Sequence, residues 1–384
     1  MARVLLIGGG HAHLIAAPLI SQAAGDEVSV ALVAPSAELL YSGMMPGWLS
    51  GQYRFDECAI DLARLCRAHR IEWIEDEIVD IDFASREAVG RIGRYPFDLA
   101  SVNVGSANDL GDIGASPPIV LGAKPFAQFV DEWTAWLGAA NAEPRPRPLV
   151  VVGGGAAAVE IAFALAALSK HGSALAGSRV VLATAGDELL PGMSRIAARL
   201  ALGSLLARGV EPRFGCRYVG AGDRCARFDG AQQIEAELVI VANGARAPQW
   251  VGAAAGRNAV ALAGDGGLAI RSDLRSTSHA AIFAAGDCAS FVDQRVPKSG
   301  VHALRQGPVL AANICAALEE RARVRAAGTT SVATRRFAAR RRTLALLNRC
   351  DGSAIGAWGP IGFAGAWVWR WKDRIDQRFM ARFR

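Results

Sequence analysis

Seven cysteines are spread over 384 residues, at positions 58, 66, 216, 225, 288, 315 and 350, and no two of them stand as C-x-x-C or at zinc-ligand spacing. The sequence therefore offers neither a local dithiol pair nor a structural zinc site, and free thiols in a reducing compartment are expected. Long apolar runs are missing too. Although 52% of the residues are hydrophobic, no stretch reaches the roughly 18 apolar residues of a membrane-spanning helix. The first strand is read from residue 3, so no secretory leader is expected. The expected location is the cytoplasm. His11 and His13 lack carboxylate or cysteine company at ligand spacing, so no metal is expected.

Positive charge is present in excess, and it is confined to one end. Residues 321–384 hold 15 Arg and Lys against three acids, whereas the preceding 320 hold 27 against 33. Such a segment suits anionic lipid, an acidic partner or plain solvation. Within it, Val368, Trp371, Ile375, Phe379 and Phe383 recur at helical spacing, with Arg370, Lys372, Arg374, Arg378, Arg382 and Arg384 on the other faces. The spacing predicts an amphipathic helix. Its candidate roles are peripheral attachment to the inner face of the cell membrane, a homodimer groove, or the protein's own core. Nucleic acid is not an expected partner.

Two stretches repeat one design. Arg3-Val4-Leu5-Leu6-Ile7 reads as a buried strand, Gly8-Gly9-Gly10 as a turn, and His11-Ala12-His13 as the opening of a helix. Leu149 to Val152, Gly153-Gly154-Gly155 and Ala156-Ala157-Ala158 do the same later in the chain. In such a turn the first glycine permits a tight bend and the second lets backbone N–H groups approach a pyrophosphate. The helix N-terminus adds the positive end of its dipole. His13 stands at the third position of G-x-G-x-x-G in the first copy, Ala158 in the second. Two cradles in one chain predict two dinucleotides.

Val28 to Val33 reads as a second strand, ending in Ala34-Pro35-Ser36 without the carboxylate usual for an adenosine ribose. Tyr41 to Trp48 reads as a loop with exposed-type apolar groups, Asp56 to His69 as a helix, and Phe97 to Val104 as a strand ending in Gly105. Phe126 to Leu137 predicts an amphipathic helix, and Ala142 to Pro148 a stiff exposed linker. The strand Val180 to Thr184 is followed by Asp187 and Glu188 and by no arginine, which favours NADH over NADPH. Glu237 to Ala242 is a strand closing in Asn243-Gly244. Ala281 to Ala285 is another, ending in Gly286-Asp287 and leading to a helix over Val301 to Leu318. A carboxylate there can accept hydrogen bonds from a polyol such as a flavin ribityl chain; by itself a Gly-Asp pair is a common turn.

In this order the motifs resemble those of the two-dinucleotide-binding-domain flavoproteins, the pyridine nucleotide–disulfide oxidoreductase superfamily, over residues 1 to about 320. The resemblance implies FAD in the first cradle, NAD(P)H in the second, Asp287 on the ribityl chain, the backbone of Ile78 at the adenine and Glu160 near the nicotinamide. The C-x-x-x-x-C of disulfide reductases is missing where Tyr41 to Pro46 stand, and no cysteine lies between Cys66 and Cys216, where sulfide:quinone oxidoreductases need one. In this the chain is similar to type II NADH dehydrogenases. Gly9-Gly10-His11-Ala12-His13, Tyr41 to Gly47, Gly300 to Pro308 and Trp371 to Asp376 also resemble the oxidoreductase-like module found alone or fused ahead of selenide, water dikinase.

The expected fold is α/β, with two Rossmann-like domains and a short C-terminal segment. The expected divisions are 1–116 and 251–325 for FAD, 117–250 for NAD(P)H, and 326–384 for the basic segment. Candidate cofactor residues are Gly8, Gly9, Gly10, His11, Ala12, Pro35, Tyr41, Pro46, Ile78, Gly105, Gly153, Gly155, Ala156, Ala157, Gly286 and Asp287. Glu160, Lys298, His302 and Gln306 are the catalytic candidates, the last three spaced to share one helix face if that helix begins early. The expected activity passes hydride from NAD(P)H to flavin and electrons on to a quinone. The alternatives are a sulfur, selenium or protein acceptor, or a flavin-binding sensor with little turnover.

Overall fold

The branched apolar runs form parallel strands. The computed structural model describes residues 1–170, 173–244, 246–257, 260–327, 332–340 and 342–384, and it sorts them into two compact units. The first comprises Met1–Leu39, Asp61–Ser106 and Arg246–Ala339; the second comprises Leu40–Ile60, Ala107–Ala245 and Arg340–Arg384. Ala245, in the segment after Gly244, and Arg341, in the basic run, lie outside the described residues.

In the first unit five parallel strands run in the order Ile282–Ala284, Leu99–Val102, Ala2–Ile7, Val28–Ala34 and Glu72–Glu75. Val4 to Ile7 are wholly buried, because a parallel sheet is covered on both faces and selects continuous apolar runs over alternation. Strand order reverses at Ala2–Ile7, and the carboxyl end of such a switch point is where open α/β sheets take ligands. Helices His11–Ala24 and Gly300–Ala327 pack closely: a Cβ on Gly307 would stand 2.6 Å from Ile15 Cβ and 2.9 Å from the Ala12 carbonyl oxygen.

The second unit repeats the plan with Ile119–Gly122, Leu238–Val241, Pro148–Val152, Arg179–Ala183 and Val210–Arg213, again reversing at the strand that leads into a glycine turn. Residues 340–384 join this unit. Strands Leu344–Asn348, Ala354–Trp358 and Ile361–Gly365 form an antiparallel meander, followed by helix Ala366–Met380.

Two local expectations are corrected and a third is narrowed. Asp56 to His69 is not one helix: Phe55–Cys58 and Leu62–Ala68 are separate helices flanking the strand Ala59–Asp61. Asp61 accepts the Arg64 N–H at 2.7 Å as an N-cap, a role that suits aspartate better than a helix interior. Tyr41 to Trp48 is not loop throughout: the short helix Met45–Leu49 forms within it, and its apolar groups Met44 and Met45 are buried. In the C-terminal helix the buried face is Val368, Lys372, Asp376 and Met380, while Trp371 and Ile375 are 38% and 41% exposed. Of the roles the apolar stripe left open, packing on the protein's own core falls to this other face, because a lysine and an aspartate that satisfy each other can be buried together.

Candidate functional site

Each unit carries one cradle. In the first, the strand Ala2–Ile7 turns at Gly8, whose φ of +91° and whose Cα position, where a Cβ would fall 2.6 Å from the Asn103 carbonyl oxygen, admit only glycine. The Gly10 N–H donates to that carbonyl at 3.2 Å. Asn103 then caps the helix that His11 opens. Its Oδ1 accepts the Ala12 and His13 N–H groups at 3.0 and 3.3 Å, and its Nδ2 donates to the Ala285 carbonyl at 2.8 Å. Sequence reading missed Asn103; its one signal was an amide residue at the end of a buried strand.

His13, in place of a third glycine, is wholly buried. Its Nδ1 lies 2.6 Å from the Gly8 carbonyl oxygen and its Nε2 2.8 Å from Ser101 Oγ, an arrangement that assigns the proton to Nδ1. Burial pushes its pKa down to about 4, against the opposing hydrogen bond to Gly8. Because the unfolded value is higher, at 6.5, this neutral imidazole contributes stability that is full above that pH. The contribution is lost as pH falls toward 4, about 3 kcal/mol in all. Urea unfolding midpoints of wild type and His13→Gln should converge over that interval, since only the wild type carries the titrating group.

The rest of the first unit's candidates sit around this turn or on separate strands. Pro35 is exposed just beyond the strand Val28–Ala34, Ile78 is buried at the start of Ile78–Asp82, and Gly105 has φ +73° with open space where a Cβ would be. Gly286 and Asp287 follow the strand Ile282–Ala284; Gly286 N–H donates to Gln306 Oε1 at 2.6 Å, and Ser106 Oγ donates to Asp287 Oδ2 at 3.3 Å. The helix begins at Gly300, so Lys298 lies before it and not on its face. Lys298 Nζ instead reaches Asp265 Oδ2 at 3.0 Å and the Asp287 carbonyl at 2.9 Å. Lys298, His302, Gln306, Gly286 and Asp287 all line one pocket.

In the second unit Gly153 has φ +136°, and a Cβ there would fall 2.6 Å from the Ala242 carbonyl oxygen. Gly155 differs: nothing lies within 4 Å of where its Cβ would be, and it opens the helix Ala156–Leu168 without a side-chain cap. Ala157 is exposed and Ala156 partly so, leaving the N-terminal amides accessible. One turn into that helix, Glu160 accepts the Asn348 N–H at 2.7 Å. Burial pushes its carboxyl up to about 7, with Lys372 and the Asn348 amide pulling the other way.

Tyr41 and Pro46 belong to the same unit and are tied to its C-terminal elements. Tyr41 donates to Asp376 Oδ1 at 3.3 Å, Tyr53 to Asp373 Oδ1 at 2.6 Å, and Cys350 Sγ to the Pro46 carbonyl at 3.4 Å. Lys372 donates to Asp376 Oδ2 at 2.6 Å and to the Gly43 carbonyl. All seven cysteines are free thiols. Burial lifts Cys58 and Cys350 to about 12 and Cys66 and Cys288 to about 11, so these four are protonated at neutral pH.

A family model described as pyridine nucleotide-disulphide oxidoreductase matches residues 2–307. Among solved structures, the chain is similar to the sulfide:quinone oxidoreductase of the hyperthermophilic bacterium Aquifex aeolicus, with a TM-score of 0.76 at 15% identity over 100% of this chain and 92% of that one. It is also similar to an NAD-dependent persulfide reductase from A. fulgidus (TM-score 0.71, 19% identity, 93% and 64% covered). A third is the water-forming NADH oxidase of Lactobacillus brevis (TM-score 0.67, 17% identity, 94% and 75% covered). Likeness at these identities shows the fold. No curated protein sequence matched.

Proposed function

Because the chain belongs to the pyridine nucleotide-disulphide oxidoreductase family, and is thus a pyridine nucleotide-dependent flavoprotein oxidoreductase, we propose that it oxidises NAD(P)H through FAD and delivers the electrons to a quinone. The observation that carries this reading is the pair of strand–glycine–helix cradles, one in each unit. The first fits FAD. Gly8 and Gly10 bring the helix N-terminus against the strand end, Gly105 leaves open space, and Asp287 offers a carboxylate to hydroxyl donors. Residues 1–116 and 251–325 are assigned to FAD and 117–250 to NAD(P)H, with NADH preferred.

When bound, FAD supplies hydride acceptance from a nicotinamide and electron delivery to an acceptor. The chain's own part is to hold and orient. The first helix N-terminus and the amides of Ala156 and Ala157 hold pyrophosphates, and Asp287 holds the ribityl chain. Glu160, with its carboxyl near 7, holds a proton beside the second cradle. Electrons are assigned to a quinone and not to a sulfur relay because the seven cysteines are free thiols with no disulfide among them, and burial raises the pKa of Cys58, Cys66, Cys288 and Cys350. Anaerobic titration tests the whole reading. NADH should bleach the bound flavin, and a soluble quinone should restore its colour; a flavin that NADH leaves oxidised would overturn it.

Asp287→Ala should weaken FAD binding roughly tenfold to a hundredfold, the equivalent of a charge-assisted hydrogen bond of about 1.5–3 kcal/mol. Flavin absorbance retained through gel filtration reads the loss.

A cytoplasmic location with peripheral attachment to an anionic membrane surface belongs to the same proposal. Trp367, Trp371 and Ile375 are 52%, 38% and 41% exposed, Phe363 stacks on both tryptophans, and Arg370, Arg374 and Arg378 are exposed on the same helix. Aromatic rings beside cations suit a headgroup interface. Trp367→Ser/Trp371→Ser should lower co-sedimentation with anionic vesicles severalfold while the protein stays folded. Wild type that ignores the vesicles and migrates as a dimer assigns the face to a second copy.

A further inference from the structure

The pocket of the first unit holds one hydrogen-bonding group that the fold leaves unused. His302 is 3% exposed and lies in the first turn of the helix Gly300–Ala327. Ser299 Oγ sits 2.9 Å from its Nδ1 and also accepts the His302 backbone N–H at 3.4 Å. Among the described residues Nδ1 is the acceptor within reach of the Ser299 hydroxyl proton, and with Ser299 donating to it the imidazole proton sits on Nε2. Nε2 is buried and has no hydrogen-bond partner among the described residues. Burial, with the nearby Arg305 cation, keeps the ring neutral, so Nε2–H is a donor and not an acceptor.

Two neighbouring polar groups are already committed. Gln306 Oε1 accepts the Gly286 amide, and Lys298 is held by Asp265 and the Asp287 carbonyl. An unpaired buried N–H destabilises a fold unless something fills its place. Beside it stands the positive end of a long helix. We propose that His302 Nε2–H, held in its tautomer by Ser299, is a donor for a ring carbonyl oxygen that gains negative charge on reduction. That oxygen belongs either to the bound flavin or to a quinone-type acceptor. This rests on the first cradle being the FAD site.

The test uses the FAD-loaded full chain and reads the flavin midpoint potential against a reference dye, a measurement that needs no NADH. Failure of the functional reading, a flavin that NADH cannot reduce, is therefore distinguishable from failure at His302. If the oxygen is the flavin's, His302→Leu loses about tenfold of the preference for the reduced form, a fall of about 30 mV for a two-electron couple. Ser299→Ala shifts the potential in the same direction, and His302→Gln, which keeps an N–H donor, recovers part of it. If the potential holds but kcat/KM for a soluble quinone falls tenfold in both His302→Leu and Ser299→Ala, the oxygen is the acceptor's. Wild-type potential together with wild-type kcat/KM in both variants overturns the proposal. Should His302→Leu fail to retain flavin, Ser299→Ala and His302→Gln decide by the same readings.

Discussion

Lys372→Met is expected to cost about 3–5 kcal/mol of unfolding free energy. Lys372 and Asp376 are one turn apart, with side chains 9% and 6% exposed and 2.6 Å between Nζ and Oδ2. Removing the ammonium leaves a buried carboxylate whose other partner is the Tyr41 hydroxyl at 3.3 Å. Burial already pushes the Asp376 carboxyl upward against the pull of Lys372, so the variant should take up a proton there and lose further stability as pH rises. The same lysine donates to the Gly43 carbonyl, which would be orphaned too. Urea denaturation at neutral pH reads the loss. Lys372→Met/Asp376→Leu should recover a good part of it, since an apolar pair leaves no buried charge. A single variant with wild-type stability would mean that the pair is solvated and that the helix is held by Val368 and Met380 alone.

At this helix the apolar pattern and the buried face differ. Spacing of apolar residues found the helix and its amphipathic character, yet did not reveal which face is buried. Polarity patterns score each residue by itself, whereas burial of Lys372 depends on Asp376, Tyr41 and the Gly43 carbonyl, the latter two more than 300 residues away in sequence. Asn103 was missed for the same reason. Its role as a cap for the helix at His11 exists only once the strand Leu99–Val102 pairs beside Ala2–Ile7. The strands themselves were legible, because parallel sheets covered on both faces demand unbroken branched apolar runs. The glycine turns were legible because a positive φ or a backbone contact excludes a side chain, and that requirement is written in the residue type. Spacing placed Lys298 with His302 and Gln306 on one helix face only if that helix began early. The structure brings all three to one pocket but leaves Lys298 ahead of the helix, in an ion pair with Asp265 that no local pattern announces.

Gly155→Val should abolish reduction of the flavin by NADH while dithionite still reduces it. Glycines that the fold needs differ from glycines that a ligand needs. At Gly8 and Gly153 a Cβ would collide with the chain's own carbonyls at 2.6 Å, and both have positive φ, so substitution there damages the turn itself. At Gly155 φ is −80°, an ordinary value, and nothing of the protein lies within 4 Å of a Cβ. Valine therefore fits the folded chain. What it fills is the space in front of the Ala156 and Ala157 amides, where the proposal seats the pyrophosphate of NADH. The expected signature is a yellow, stable protein with a thermal midpoint near wild type whose flavin stays oxidised under anaerobic NADH. Gly153→Val, by contrast, should fail to fold, which shows that the two positions differ in kind. Undiminished NADH reduction in Gly155→Val would make the second turn a structural device, and the sensor reading would then describe the protein better than the reductase reading does.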